Sequence, residues 1–163
     1  MKGKITVRYP FAAFAIWALL LMRDGSGTVQ RAFLAALLHE SGHILCECMI
    51  GRRFPALEIS PAGITMKVCP EEQSVMYSVL LAAAGPMANL LTAGICMAAG
   101  VPSSAFSRWC FVGVNLITAA FNLLPVPPLD GAVILAAMKR DRNEKRQIAF
   151  WNKMRYNKKR NRI

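Results

Sequence analysis

Most of the charge in this chain lies outside four long apolar stretches, at residues 11–22, 32–50, 75–101 and 106–124. A helix that crosses a bilayer needs about 20 mostly apolar residues. The last three stretches reach that length and the first is short. A chain that is 55% hydrophobic and still carries a net charge of +11 does not read as an ordinary soluble domain. Its apolar and charged residues are segregated along the sequence. Eleven of the twenty Lys and Arg lie between positions 139 and 163, opposed there only by Asp141 and Glu144. The 163 residues leave room for one domain. The sequence therefore predicts an α-helical membrane protein with about four transmembrane helices. Residues 1–138 form its membrane-embedded domain and 139–163 a basic tail.

The charges between the stretches predict an orientation. Lys2, Lys4 and Arg8 precede the first apolar run as in a signal peptide, yet no small-x-small cleavage site follows, so a retained anchor is expected. Four spans return the C-terminus to the side of the N-terminus. With both termini cytoplasmic, the inner segments carry Lys2, Lys4, Arg8, Arg52, Arg53, Lys67 and the tail, and the outer side only Arg23, Arg31 and Arg108. That asymmetry follows the positive-inside rule. The expected location is the cell membrane, with several passes.

The segments between the runs differ in texture. Residues 24–27 (Asp-Gly-Ser-Gly) read as a turn. The second helix stops at Gly51, with Arg52 and Arg53 beyond it. From Ala56 to Val68 apolar residues alternate with polar ones around Pro61 and Gly63, a pattern that predicts a small β-hairpin. Pro70, Glu71 and Glu72 suit the opening turn of a third helix. That helix breaks near 100–102, and the fourth reaches Asn122 before meeting Pro125, Pro127 and Pro128. The five cysteines have no paired spacing and read as small apolar side chains. Cys46, seven residues after His39, falls on the same helix face without being assigned as a ligand.

The chemistry is carried by His39-Glu40-Ser41-Gly42-His43. Positions i and i+4 of a helix share one face, so both imidazoles can meet one cation. These are the chain's only two histidines, and they lie with a glutamate inside an apolar run, where ionisable groups are rare and usually functional. Zinc lowers the pKa of a water it holds from ~15.7 to about 7, and Glu40 is placed to take that water's proton. A catalytic zinc needs a third protein ligand and one open position. The candidates are Glu47, Glu58, Glu71, Glu72 and Asp130. Glu47 shares the histidine helix and would have to reach past a full turn, and Glu71 and Glu72 fit a helix start. Asp130 stands out, because it follows Pro127-Pro128-Leu129 at the end of an apolar run.

Three motifs in order carry a resemblance: His39-Glu40-x-x-His43, then Gly85-Pro86-x-x-Asn89, then the run from Phe121 through Asn122 and Pro125 to Asp130-Gly131. Together they resemble the site-2 protease family of intramembrane zinc metalloproteases, and within it the compact branch of sporulation-factor-processing proteases. The resemblance implies His39, His43 and Asp130 as ligands of one zinc per chain and Glu40 as the general base. It implies Asn122 beside the substrate and Asn89 near the site. Interhelical hydrogen bonding is the other reading of both asparagines. It also implies that the hairpin is a re-entrant sheet whose edge pairs with unwound substrate. Residues 56–68 leave no room for a PDZ domain, and no nucleotide-sensing domain follows the last span.

The expected function is hydrolysis of peptide bonds in or beside the membrane-spanning segments of membrane-tethered regulatory proteins. The expected partners are such a substrate and, at the tail, anionic lipid, with a regulatory membrane protein as a further candidate. Nucleic acid is not expected, because the basic tail contains no recognisable binding module. A catalytically silent zinc-binding scaffold of the same fold is the main alternative, against which the intact Glu40 counts. A small transporter would be expected to show paired repeats, and none are visible.

Overall fold

A computed structural model describes residues 5–7, 10–51, 56–60, 63–67 and 74–160. Their order is β1 (Ile5–Val7), α1 (Pro10–Met22), α2 (Thr28–Cys46) ending in a wider π-type turn (Glu47–Gly51), β2 (Ala56–Ser60), β3 (Gly63–Lys67), α3 (Val75–Ala99), α4 (Ala105–Asn122) and α5 (Asp130–Arg160).

Two of these helices are long and apolar enough to cross a membrane. One runs from Thr28 to Ile50 and the other from Val75 to Ala99. At ~1.5 Å rise per residue, the 25 residues of the second reach beyond the ~30 Å of a hydrocarbon core. Four spans were the expectation, and the other two helices fall short of that standard for separate reasons. α1 has 13 residues, and the β-branched Ile-Thr-Val segment before it is a strand rather than more helix. α4 has 18 residues, but Arg108, Asn115 and Asn122 lower its apolarity.

The three strands form one sheet in the order β1-β2-β3. β2 and β3 pair antiparallel from Ala56↔Lys67 to Ser60↔Gly63, and this register sets Leu57 opposite Met66 and Ile59 opposite Ile64. β1 adds in parallel, Ile5 to Leu57, a pairing the sequence pattern had not suggested. Of the expected turn residues, Pro61 lies outside the described residues, and Gly63 pairs with Ser60 as the first residue of β3. Pro70, Glu71 and Glu72, expected to open the third helix, also lie outside the described residues. α3 begins at Val75, where the Ser74 hydroxyl accepts the Tyr77 N–H and caps the first turn.

α3 is the central helix, packed against α2, α4 and α5. Its inward face is built from small side chains, Ala82, Gly85 and Ala93, which let neighbouring backbones approach. Ala93 and Cys96 meet Phe111 and Val112 of α4, with Leu38 of α2 alongside. Polarity is arranged inside out. Asn89 and Asn115 have no exposure, whereas Leu91, Ile95 and Ile117 are 60%, 65% and 70% exposed. In water such a surface would be an association liability; against lipid it is the ordinary arrangement. α1 leans on α2 through Trp17 and Phe33, whose ring centroids are 4.9 Å apart. α5 runs unbroken across position 139, so the basic tail extends the helix that begins at Asp130.

Candidate metal centre

α2 carries His39 and His43 one turn apart, both buried. Their rings stand edge to face with centroids 4.8 Å apart, and the two Nε2 atoms are 3.1 Å from each other. The Nδ1 atoms point the other way, into α3. His43 Nδ1 is 2.8 Å from the Leu81 carbonyl. A carbonyl only accepts, so this nitrogen carries the hydrogen and Nε2 presents its lone pair. His39 Nδ1 is 3.0 Å from Asn89 Oδ1.

The third group arrives from α5. Asp130 is that helix's first residue, and its Oδ2 lies 3.0 Å from His39 Nε2 and 3.3 Å from His43 Nε2. The turn that delivers it is tight. Leu129 N–H bonds Val126 O at 3.0 Å and Ala132 N–H bonds Leu129 O at 3.1 Å. A side chain on Gly131 would press into the Leu123 and Leu124 carbonyls. Glycine is required there by the close approach. Gly85 serves the same purpose on α3, where an added carbon would collide with both Nε2 atoms.

The donor set suits a metal. Asp130 Oδ2 is buried and makes no hydrogen bond, although two nitrogens are within ion-pair distance. Three electron-rich atoms facing one another in an apolar interior are unfavourable unless something positive lies among them. Tetrahedral zinc, with bonds of ~2.0–2.1 Å, holds its ligands roughly 3.3 Å apart. The observed edges of 3.0, 3.1 and 3.3 Å are close to that triangle. His39, His43 and Asp130 form the one such group among the described residues. Glu40, half-buried beside them, is near enough to interact electrostatically with all three.

The remaining sequence candidates are distributed elsewhere. Glu47 is buried and accepts a hydrogen bond from the Tyr77 hydroxyl. Glu58 sits on β2 in register with Thr65. Glu71 and Glu72 lie outside the described residues, and Cys46 is half-buried and not part of the cluster. Asn122 ends α4, half-buried, with its amide N–H bonded to Thr118 O at 2.9 Å.

Of the two readings of Asn89, the structure shows the interhelical hydrogen bonds. Asn89 has no exposure, and its amide is taken up by His39, the Ala35 carbonyl and Asn115. It stands on the Nδ1 side of His39, away from the cluster formed by the Nε2 atoms and Asp130. Sequence reasoning passed over Asn115, although an asparagine in the middle of an apolar helix was a visible signal.

Comparison with known proteins agrees with this geometry. The sequence pattern that defines the peptidase M50B-like family matches residues 11–141. No curated protein sequence matches the chain. Among solved structures, the site-2 protease from Methanocaldococcus jannaschii is similar with a TM-score of 0.55 and 21% identity. The similarity covers 84% of this chain and 67% of that one; at that identity it speaks for the fold. The family match spans most of the sequence and contains all three residues of the cluster, so the chain belongs to the peptidase M50B-like family.

Proposed function

We propose that this protein is an intramembrane zinc endopeptidase that hydrolyses peptide bonds in or beside the membrane-spanning segments of membrane-tethered regulatory proteins. The observation that carries the reading is the convergence of His39, His43 and Asp130 next to Glu40 inside an apolar helix bundle. His39, His43 and Asp130 would hold one zinc ion per chain. When bound, that ion supplies Lewis acidity, which makes hydroxide available near neutral pH and polarises a scissile carbonyl.

The chain's own groups do the rest. Glu40 takes the proton of the attacking water and returns it to the amine nitrogen as the C–N bond breaks. Asn122, at the end of α4, would hold the substrate backbone, while Asn89 would orient His39. β3 packs against α2, so a peptide unwound from its helix can add to that sheet as an extended strand.

The proposed setting is the cell membrane. α1 and α4 complete four passes, the sheet enters the membrane from one face, and both termini are cytoplasmic, as the basic segments favour. The sequence resembles the compact sporulation-factor-processing branch, which favours a membrane-anchored regulator as substrate. The basic α5 extension lies against anionic lipid in this arrangement.

The test compares wild type with Glu40→Gln in detergent or reconstituted membranes, following zinc content and cleavage of a membrane-tethered model substrate. The expected result is zinc in both proteins and cleavage only in wild type. Zinc in both with no cleavage in either, across a panel of membrane-anchored substrates, would assign the chain to the silent-scaffold alternative.

A further inference from the structure

Asn115 lies on α4, a helix that contributes no ligand to the cluster. It is fully buried, as is Asn89 on α3. The orientation of both amides follows from neighbours that can only accept. Asn115 Nδ2 is 2.9 Å from the Phe111 carbonyl, so its Oδ1 is the atom turned toward Asn89. Asn89 Nδ2 meets two acceptors, Ala35 O at 3.0 Å and Asn115 Oδ1 at 2.9 Å. Both of its N–H bonds are committed, and its oxygen faces His39 Nδ1 at 3.0 Å. An acceptor at that place calls for hydrogen on Nδ1, which leaves Nε2 bare toward His43 and Asp130. Donation therefore runs from His39 on α2 through Asn89 on α3 to Asn115 on α4.

We infer that Asn115 is a positioning residue for the metal centre: acting through Asn89, it holds His39 in the tautomer whose Nε2 is available to a metal ion. The inference rests on the zinc reading above. Without the Asn115 oxygen, the Asn89 amide loses one of the two acceptors that fix its orientation. It can then rotate and offer N–H to His39, which favours hydrogen on Nε2 and competes with the metal. Groups that orient a ligating histidine typically change metal affinity by about 10–100-fold when removed.

The experiment uses the full chain in detergent and measures zinc affinity by competition with a chromophoric chelator. Asn115→Leu is expected to bind zinc about 10–100-fold more weakly than wild type. Asn115→Asp, whose protonated carboxyl offers an oxygen to Asn89 and an O–H to the Phe111 carbonyl, is expected to stay near wild type. Asn89→Ala combined with Asn115→Leu is expected to bind no more weakly than Asn89→Ala alone. Independent structural roles would instead multiply the two losses, and that outcome overturns the inference, as does wild-type affinity in Asn115→Leu. Nitrogen-15 NMR of the zinc-loaded wild type, labelled at its two histidines, needs no variant to fold. The expected spectrum has the His39 hydrogen on Nδ1; a hydrogen on Nε2 overturns the inference. A wild type that holds no zinc, even when supplied with it, overturns both readings, whereas zinc in wild type and unchanged affinity in Asn115→Leu removes this one alone.

Discussion

A methyl group on Gly85 would stand 2.7 Å from His39 Nε2 and closer still to His43 Nε2. α3 therefore passes the candidate metal centre with only hydrogen between its backbone and the two Nε2 atoms. Four residues to either side, the same helix face supplies the Leu81 carbonyl and the Asn89 oxygen that receive the two Nδ1 hydrogens. Gly85→Ala is expected to displace both rings and lower zinc affinity at least about tenfold. Metal content at matched protein concentration checks this, and full zinc occupancy in the variant would mean that α3 can retreat.

Asp130 would make a different kind of contribution, since of the three candidate ligands it alone is an acid. Asp130→Ala is expected to reduce zinc to a small fraction of one ion per chain while the helical content measured by circular dichroism stays near wild type. Chelator treatment of wild type is expected to remove both zinc and cleavage, and added zinc to restore them. A variant that retains stoichiometric zinc would transfer the third-ligand role to another acid.

Gly131 lets the chain turn from α4 into α5 beneath the Leu123 and Leu124 carbonyls. Gly131→Ala is expected to move Asp130 away from the histidines without removing any ligand. Weaker zinc binding with all three ligands still in the sequence is the predicted signature. Cobalt substitution and its visible spectrum would report the altered coordination.

The start of α2 depends on Asp24. Its carboxylate receives the Thr28 and Gln30 N–H groups, each at 3.0 Å, and the Ser26 hydroxyl at 2.9 Å. Partial removal from water works to raise the carboxyl pKa, but these hydrogen bonds win and hold it below its ordinary 3.8. A depressed folded-state value means stability that is present above pH 3.8 and lost as the pH falls through the folded value. Asp24→Asn is expected to lower thermal stability at neutral pH and to narrow its gap to wild type under acid. A gap that does not vary with pH would remove Asp24 from the cap.

Much of the site could be read in the sequence because its parts are local. His39 and His43 are four apart on one helix, and that spacing alone puts both rings on one face. Glu40 is adjacent by the same geometry. Asp130 already stood out among five acids and was the third ligand implied by the resemblance, and α5 sets its carboxylate 3.0 and 3.3 Å from the ring nitrogens. For Asn89 the sequence left substrate contact and interhelical hydrogen bonding both open. A motif shows that a residue lies near a site but not on which side of a ligand it stands.

The sequence by itself determined the apolar helices, the basic C-terminal segment and the histidine pair, since each follows from composition or from the 3.6-residue period. It did not determine the parallel pairing of Ile5–Val7 with β2, the number of helices long enough to span, or the links from Asn115 to Asn89 to His39. Asn115 is 26 residues from Asn89, and Asn89 is 50 from His39. No periodicity reaches across such separations. Only the packing of α2, α3 and α4 brings those amides within 3 Å, and there an unpaired N–H or oxygen, shielded from water, would be costly enough to fix each one's direction.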